Sequence, residues 1–497
     1  MLFNSIQFLI FFPIVCLVYF AVPKKIKWIW LLLASYYFYM CWNPKYALLM
    51  FTSTFITWLS GIFIERFSRI ENEKKSKRLK NMTVAVSFVS NLSILFMFKY
   101  FNFAVDTLNT LLSHFHMSLV TPGFDVILPV GISFYTFQAL SYTVDVYRKD
   151  TPCEKNLFRY MLFVSFFPQL VAGPIERSKN LLHQLKEYHP FNSENVKSGL
   201  LLMLWGFFQK LVIADRAAIA VNTVYNNYTE YGAVELIIAT ILFALQIYCD
   251  FSSYTDIAKG AAQVMGFSLM DNFKRPYFSR SIAEFWRNWH ISLSGWFKDY
   301  LYIPLGGNRK GKLRKYINIM IVFLASGLWH GANMTFVVWG FLHGLYQVIG
   351  GATLPFRKKV LSALSVDTNT HSHRLVQRII TFILVCFGWI FFRANTLSDA
   401  MGIINIMRSG LNPWVLTDGG IFKFGFDGTQ WLVIGIASLI LFGVSCAHYY
   451  NFSFRKSILS ANIAARWVIC FTLLFTVLIF GIYGPGYDAS QFIYFQF

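Results

Sequence analysis

The sequence predicts an all-α polytopic membrane protein, and three observations support this fold class. Of the 497 residues, 56% are hydrophobic and only 14% are charged, and the mean hydropathy is +0.48. Soluble domains carry charge on about a quarter of their residues. The apolar residues form blocks of about 15–25, the length that a bilayer requires of a spanning helix. Aromatic residues reach 19%, which is typical of membrane interfaces and lipid-facing surfaces.

Apolar segments recur along the whole chain, with boundaries soft by several residues. They lie at 5–22, 28–44, 47–64, 83–101, 127–146, 157–174, 198–222, 234–265, 316–330, 334–350, 377–394, 431–447 and 466–483. Segment 157–174 contains Pro168 and is predicted to re-enter the membrane rather than cross it. Residues 271–305 are too charged for a lipid-facing span and too aromatic for a solvated loop, so they are predicted to form amphipathic or re-entrant helices lining a cavity. No soluble domain is visible, and residues 1–497 are predicted to form one membrane domain.

The basic residues predict the orientation of the chain. They are concentrated in short loops, at 24–27, 66–80, 309–315, 357–378 and 455–466. Short cytoplasmic loops are enriched in Lys and Arg, so these loops are predicted to be cytoplasmic and the N-terminus extracytoplasmic. Residues 484–497 contain neither Lys nor Arg, which predicts an extracytoplasmic C-terminus as well. The net charge of +20 therefore indicates orientation and contact with membrane lipids, and no nucleic-acid partner is expected.

Familiar motifs for nucleotide, hydrolase and metal sites are absent. The sequence contains no GxxxxGK[ST], no GxSxG and no HExxH. Its seven cysteines are scattered without a CxxC pair, which predicts small core residues rather than disulfides or zinc ligands. No bound metal is expected. The N-terminus lacks the charged region and cleavage site of a signal peptide, so the first apolar segment is predicted to remain as a helix.

The pair of segments 316–330 and 334–350 gives the strongest functional candidate. Each arm rises roughly 22–26 Å, less than the hydrocarbon thickness of about 30 Å. Because both arms start from basic loops on one side, the turn at 329–333 is predicted to lie inside the membrane or just short of its outer face. A histidine there, His330, is costly unless it is paired or functional. Its alternative role is a core histidine bonded to a neighbouring carbonyl, and His343, within the second arm, is interpreted as structural.

Other candidates lie in or beside the predicted cavity. His290 follows aromatic residues and nearby donors, although an interfacial aromatic belt around a satisfied histidine explains it equally well. Asp250 and Asp256 interrupt an apolar segment, and pairing of Asp256 with Lys259 is the simplest account of the latter. The complete set of cavity-lining candidates is Asp250, Asp256, Arg287, Asn288, Trp289, Trp329 and Asn333. Imidazole titrates near neutrality, so a histidine in a polar cavity suits general-base activation of a hydroxyl or handling of an acyl group.

A series of motifs resembles one protein family. In chain order they are Leu128-Pro-Val-Gly-Ile-Ser-Phe-Tyr135, Ala172-Gly-Pro-Ile-Glu-Arg177, Gln246-Ile-Tyr-Cys-Asp-Phe-Ser-Ser-Tyr-Thr-Asp256, Asn272-Phe-Lys-Arg-Pro-Tyr-Phe278, Phe285-Trp-Arg-Asn-Trp-His290, Trp296-Phe-Lys-Asp-Tyr-Leu-Tyr-Ile-Pro-Leu-Gly-Gly-Asn-Arg309, Leu328-Trp-His-Gly331 and Phe387-Gly-Trp-Ile-Phe-Phe-Arg393. Together they are similar to the membrane-bound O-acyltransferase (MBOAT) family, in its bacterial branch typified by the alginate O-acetyltransferase membrane subunit. The motifs cover most of the chain, and the set is specific.

The resemblance implies a fold, a site and a reaction. The implied fold is a ring of about eleven transmembrane helices, with re-entrant or amphipathic helices, around a central funnel; the family core would cover about 120–400, with further helices and an aromatic tail in 400–497. The resemblance makes His330 the catalytic histidine and His290 the second histidine of the bacterial branch. It implies cytoplasmic acetyl-CoA as donor, with no tightly bound cofactor. The implied outcome is O-acetylation of an alginate-, cellulose- or exopolysaccharide-like surface polymer through an extracytoplasmic SGNH-type partner, in the bacterial inner membrane.

The aromatic tail at 491–497 resembles the terminal motif of related acyltransferase systems in which a tyrosine takes the acyl group. By this resemblance Tyr494 is a candidate acyl carrier that would fold into the outer funnel. An interfacial aromatic anchor is the alternative role for this side chain.

Three rival functions remain open. A peptidoglycan O-acetyltransferase subunit is compatible with the same motifs. A D-alanyl exporter acting on teichoic acid is typically shorter and lacks the region after about residue 400. Outside the enzymes, a transporter of a lipid-linked glycan would tolerate loss of His330 better than loss of cavity charges.

Overall fold

The computed structural model describes residues 1–117, 119–120 and 129–484, and within them the chain is helical, with no β-strand. The α-helices are α1 (Ile6–Ala21), α2 (Lys27–Met40), α3 (Pro44–Phe67), α4 (Glu73–Leu95), α5 (Phe101–His114), α6 (Ile132–Arg148), α7 (Leu157–Ser165), α8 (Ser193–Phe207), α9 (Asp215–Asn226), α10 (Ala233–Val264), α11 (Ile282–Asn288), α12 (Ile291–Phe297), α13 (Gly311–His330), α14 (Met334–Ala352), α15 (Leu354–Ala363), α16 (His371–Arg393), α17 (Leu397–Ser409), α18 (Gly428–Tyr449), α19 (Phe454–Ser460) and α20 (Ile463–Phe480).

Short π-helical and 3₁₀ turns join or extend these helices. The π-helical segments are Phe96–Tyr100, Ser178–Leu182, Phe208–Ala214 and Lys298–Tyr302, and the 3₁₀ turns are Tyr228–Glu230, Pro276–Phe278, Pro413–Leu416 and Gly420–Phe424. Every apolar segment predicted from the sequence overlaps at least one α-helix. The all-α prediction is therefore confirmed for the described residues.

Seven of the described helical stretches are long and apolar enough to cross a membrane, or eight if the bent pair α14–α15 forms one span. They are 44–67, 73–114, 193–226, 233–264, 371–393, 428–449 and 463–480. The chain is thus a multi-pass membrane protein by the length and composition of its helices. The implied count of about eleven is not reached on these criteria, partly because α1 has 16 residues and α2 has 14.

The segment predicted to re-enter the membrane is interrupted. Helix α7 has nine residues and rises about 14 Å, so it cannot cross a hydrocarbon core of about 30 Å. The chain from 166 to 177 then continues without an α-helix and is buried by protein. Non-helical backbone is tolerated at membrane depth in such surroundings. Re-entry itself stays a prediction.

The chain divides into two compact units. The first comprises residues 1–203 and 257–270, and the second comprises 204–256 and the chain from 271 onward. The first unit is built around α3, which packs against α4, α6 and α7. A hydrogen bond from Tyr160 Oη to Thr57 Oγ1 (2.9 Å) joins α7 to α3 within its core.

The second unit contains both candidate histidines. Its closest helix pair is the α13–α14 hairpin, and α14 also packs against α16. Large aromatic side chains fill the space between these helices, and Trp289, Trp339 and Trp389 are almost completely buried. This aromatic core adjoins His330, whose ring centroid lies 5.0 Å from that of Trp339.

Candidate active site

His330 is the last residue of α13, at the tip of the hairpin. The next residue, Gly331, is extended, and Asn333 caps the start of α14 by accepting a hydrogen bond from the Thr335 backbone N–H (3.0 Å). The Asn333 amide also donates to the backbone carbonyl of Asn395 (3.0 Å). Asn333 therefore caps the start of α14 and ties the turn to residue 395, which fixes the turn that follows the histidine.

Two glycines let the arms of the hairpin approach closely. A Cβ atom added at Gly327 would overlap the backbone carbonyl of Phe336, and one added at Gly340 would overlap the carbonyl of Phe323 and lie 3.2 Å from the Cα of Gly327. Because these neighbours are backbone atoms, they cannot move aside as a flexible side chain would. These glycines were not among the residues predicted from the sequence, although glycine at facing positions of two apolar segments is the usual signal for such packing.

The arms of the hairpin are longer than predicted. Helix α13 has 20 residues and α14 has 19, so they rise about 30 and 28 Å. The extension of α13 reaches Gly311 and includes Lys312, Arg314 and Lys315 of the basic loop, since Lys and Arg are good helix formers. Helix length alone therefore does not place the turn inside the bilayer. The burial of His330 by surrounding protein is the stronger observation.

The His330 imidazole lies among aromatic rings and keeps 4% of its surface exposed. Its ring centroid is 4.9 Å from that of Trp329, 5.0 Å from that of Trp339 and 5.3 Å from that of Phe392, all in edge-on arrangements. A polar group buried among apolar rings costs free energy. With so little surface exposed, a substrate reaches this ring only through a narrow opening or after side chains move.

His290 is fully buried and lies in a strained backbone conformation. Its φ of 44° and ψ of 55° are left-handed, which is uncommon for a residue other than glycine, and the chain turns here between α11 and α12. The next residue is held in place, because the Ile291 N–H donates to the carbonyl of Asn272 (2.9 Å). The Asn272 side chain in turn accepts from the Ser292 hydroxyl (2.6 Å). Strain supported by surrounding hydrogen bonds is a frequent property of functional sites.

The two histidines predicted from the sequence lie next to each other. Their ring centroids are 6.5 Å apart with an interplanar angle of 60°. The Trp329 ring lies 5.8 Å from the His290 ring, and the Phe251 ring lies 4.6 Å from it. Two imidazoles this close suit proton transfer coupled to attack on a carbonyl.

The carboxylates proposed to line the cavity are engaged in polar clusters. Asp250 and Asp215 both pair with the Lys210 ammonium, at 2.6 and 2.8 Å, and all three side chains are buried. Asp256 accepts a hydrogen bond from the Gln209 amide (2.9 Å). Asp250 precedes Phe251, whose ring contacts His290, so this ion cluster adjoins the histidine pair along α10.

The remaining candidate residues differ in their distance from the two histidines. Trp329 contacts both histidines, and Trp289 is buried in the aromatic core. Asn288 donates to the Ser279 hydroxyl (3.1 Å), whereas Arg287 is exposed. Tyr494 lies outside the described residues.

His343 packs against a tryptophan that also contacts His330. Its Nδ1 accepts a hydrogen bond from the indole N–H of Trp286 (3.2 Å), and its ring centroid is 5.0 Å from that of Trp339, which also contacts His330. Gly388 on α16 leaves room for this imidazole, because a Cβ atom there would lie 2.9 Å from the His343 Nε2. The structural role interpreted for His343 agrees with these contacts. The part played by Gly388 is visible only in three dimensions.

Comparisons with known proteins identify the family. Residues 152–397 match the model of the membrane-bound O-acyltransferase family. The chain is 36% identical to the probable alginate O-acetylase AlgI of Pseudomonas putida over the whole of both chains. It is 32% identical to a peptidoglycan O-acetyltransferase of Helicobacter pylori, over 83% of this chain and 80% of the relative. It is 26% identical to a teichoic acid D-alanyltransferase of Bacillus subtilis, over 54% of this chain and 70% of the relative. The chain therefore belongs to the MBOAT family and is a membrane-bound acyltransferase.

Proposed function

We propose that this protein transfers an acetyl group from cytoplasmic acetyl-CoA across the bacterial inner membrane for O-acetylation of an extracytoplasmic surface polysaccharide. The observation that carries the proposal is the pair of buried imidazoles, His290 and His330, whose centroids lie 6.5 Å apart in the aromatic core of a membrane acyltransferase. With both termini extracytoplasmic, as the basic loops predict, the hairpin tip at His330 would face the acceptor side.

The proposed chemistry needs only side chains of this protein. In a direct transfer, an imidazole nitrogen of His330 takes the proton of an acceptor hydroxyl while the hydroxyl oxygen attacks the thioester carbonyl. The carbon–sulfur bond then breaks, and the imidazolium returns the proton to the leaving thiolate. If His330 instead acts as nucleophile, its nitrogen attacks the thioester carbonyl, the thiolate leaves with the ring proton, and the acetyl group stays on the nitrogen as an acyl-imidazole. The acceptor hydroxyl then attacks this acetyl group, and its proton returns to the departing imidazole nitrogen. In both routes the neighbouring His290, whose ring centroid lies 6.5 Å from that of His330, is proposed to contact the reacting oxygen.

The proposed acceptor is a polymer at the cell surface. Relatives named for alginate, peptidoglycan and teichoic acid all act on such polymers. An alginate-, cellulose- or exopolysaccharide-like glycan is favoured, because the probable alginate O-acetylase matches the chain along its whole length. We expect an SGNH-type extracytoplasmic partner to complete the transfer. Peptidoglycan is the second candidate acceptor, supported by the relative that covers 83% of this chain.

Tyr494 is proposed as an intermediate acyl carrier. In this route the phenol oxygen attacks the thioester carbonyl, the carbon–sulfur bond breaks, and the phenol proton passes through His330 to the leaving thiolate. The resulting tyrosyl ester is presented to the extracytoplasmic partner. Replacing Tyr494 by Phe removes only the hydroxyl. Loss of surface acetylation with unchanged protein level supports the carrier role, and unchanged acetylation rules it out.

The acceptor and the reaction are tested together in cells. Surface glycans of a wild-type strain and a deletion strain are treated with alkali, and released acetate and sugar composition are compared. We expect ester-linked acetate to disappear from one glycan while the amount of that glycan is unchanged. Loss of the glycan itself would favour the lipid-linked glycan transporter, and an unchanged acetate content would contradict the proposal.

A further inference from the structure

A cluster of arginines at one end of α16 and α18 has no part in the proposed acyl transfer. The guanidinium carbon of Arg378 lies 5.0 Å from the ring centroid of Tyr449, and that of Arg275 lies 5.6 Å from the same centroid. Arg378 also lies 5.8 Å from the ring of Phe278, which stacks on Tyr449. Two cations therefore share one aromatic ring, an arrangement in which they repel each other.

The arginines of this cluster lack the anionic partner that their neighbours have. Arg280 pairs with Glu284 at 3.7 Å. Within the described ranges, by contrast, no carboxylate lies within ion-pair distance of Arg275, Arg374 or Arg378. Arg275 donates to the backbone carbonyl of residue 448.

Two donors of the cluster are also unsatisfied. The Nε atoms of Arg374 and Arg378 are buried and have no hydrogen-bond partner among the residues that the structure describes. These two residues are four apart on α16, so they lie on the same face of the helix. Buried charged donors without an acceptor are costly. An external anion would relieve both this cost and the repulsion around Tyr449.

The side chains around the arginine cluster are those expected of a lipid-binding site. Large apolar side chains continue from it along both helices and are half or more exposed, namely Ile379 and Ile383 on α16 and Phe442 on α18. The Phe442 ring stacks on Phe278, with centroids 5.7 Å apart. The loops next to this end carry the basic residues that predict the cytoplasmic side, where the membrane surface is negatively charged.

We propose that Arg275, Arg374, Arg378 and Tyr449 form a binding site for a phosphate group, occupied by the headgroup of an anionic phospholipid. Arginine recognises phosphate through paired, charge-assisted hydrogen bonds. The exposed isoleucines and Phe442 then contact the acyl chains. A nucleotide phosphate, such as those of the acyl donor, has the same chemistry and is the second possible source.

The site is connected to the histidine pair through the backbone. The Lys274 N–H donates to the carbonyl of Asn288 (2.9 Å), and the Ile291 N–H donates to that of Asn272 (2.9 Å). The segment that carries Arg275 is thus hydrogen-bonded on both sides of His290. An occupied site therefore steadies the strained turn at His290. This consequence for activity rests on the proposed function, whereas the binding itself does not.

Lipid binding is measured on the full chain in nanodiscs containing equal amounts of phosphatidylglycerol and phosphatidylcholine. The protein is released and retained lipid is identified by native mass spectrometry. We expect Arg378→Gln and Arg275→Gln each to reduce retained phosphatidylglycerol by about ten-fold, the effect of losing one charge-assisted hydrogen bond. Arg280→Gln, at an arginine that already has a carboxylate partner, should retain as much as the wild type. Arg378→Lys keeps the charge and should retain an intermediate amount of phosphatidylglycerol. This variant still tests the site if a glutamine variant does not fold.

A second arm distinguishes the source of the phosphate. The affinity for coenzyme A is measured with the same variants in nanodiscs of phosphatidylcholine alone. If the variants lose phosphatidylglycerol but keep their affinity for coenzyme A, the site binds a lipid headgroup. If they keep phosphatidylglycerol but lose affinity for coenzyme A, the site binds a nucleotide phosphate. If neither ligand responds to Arg275 or Arg378, the proposal is overturned. His330→Ala should bind both ligands normally, so a failure of the proposed acyl transfer is recognised separately.

Discussion

At the scale of single residues, two imidazoles enclosed by tryptophan and phenylalanine rings are the feature that most constrains function. Burial of a polar ring costs free energy unless hydrogen bonds compensate it, whereas burial of a leucine is favourable. His290 adds the cost of a left-handed backbone, about 1–2 kcal/mol for a residue other than glycine. Two buried histidines whose ring centroids lie 6.5 Å apart, one of them in a left-handed turn, are expected where the side chains perform chemistry.

The role of His290 is testable without disturbing its backbone. Asparagine tolerates the left-handed conformation better than other residues and has no titratable nitrogen. We therefore expect His290→Asn to keep a thermal unfolding midpoint close to that of the wild type and to lower surface acetylation by at least about 100-fold, the usual contribution of a general acid or base. Acetylation near the wild-type level would show that His290 only fills space.

The sequence indicated the two candidate histidines more readily than the contacts that support them. His330 and His290 lie in aromatic motifs that composition and family resemblance both indicate. Their supporting contacts join distant parts of the chain, as when Trp286 donates to His343 and Gly388 makes room for it. Such contacts leave no periodic pattern in a sequence. Asp250 was expected to line a cavity, but it also belongs to an ion cluster with Lys210, a pairing that its spacing did not reveal.

At the scale of elements, the α13–α14 hairpin holds His330 by close backbone packing. Asn333 caps the start of α14, while Gly327 and Gly340 bring the two arms together. A change in the crossing of the arms would move the histidine relative to Trp339 and Phe392. The position of the His330 ring is therefore a property of the hairpin as a whole.

Substitution of Gly340 tests this dependence. In Gly340→Ala the new methyl group overlaps the backbone carbonyl of Phe323, so we expect a loss of about 1–3 kcal/mol of stability, typical of overpacking, and a marked fall in acetylation. Gly350 lies on the same helix with open space around its Cα. Gly350→Ala should be neutral or stabilising by up to about 1 kcal/mol. Equal thermal shifts and equal activities in the two variants would contradict the account of the hairpin.

The predictable elements are those whose composition is set by lipid. Every apolar block in the sequence overlaps an α-helix of the structure, because the bilayer demands length and hydrophobicity from each span. The short helices α11 and α12 were expected only as an amphipathic region, since seven residues each are too few to establish a period. The π-helical segment 208–214 inside a predicted span was not expected; it contains Lys210, whose buried partners Asp215 and Asp250 lie outside it.

At the scale of the whole molecule, each unit has its own buried polar centre, and the one in the first unit should control stability. Glu176 is fully buried in the chain between α7 and α8, outside the spanning helices, and accepts hydrogen bonds from the Asn180 amide and the Met270 N–H. Burial raises the pKa of its carboxyl to about 7, against a smaller opposing effect of these bonds and of Arg177 and Lys259. The neutral form is thus favoured in the folded protein.

Global unfolding should therefore depend on pH through Glu176. A carboxyl whose pKa is raised from 4.5 to about 7 on folding contributes on the order of 3 kcal/mol of stability below pH 4.5, and this contribution is lost as the pH rises through 7. Glu176→Gln keeps a neutral side chain at every pH. We expect its unfolding midpoint, relative to the wild type, to rise between roughly pH 5 and pH 8. Parallel pH profiles for the two proteins would show that this carboxyl is not the titrating group.

The most direct measurement compares surface ester acetate in a deletion strain complemented with wild-type, His330→Ala or His371→Ala protein. His371 is exposed at the start of α16 and serves as the matched control. With equal protein in the membrane, we expect His330→Ala to release no more acetate per unit of exported glycan than the deletion strain, and His371→Ala to match the wild type. Acetate at the wild-type level in the His330→Ala strain would contradict the assignment of this imidazole to the transfer.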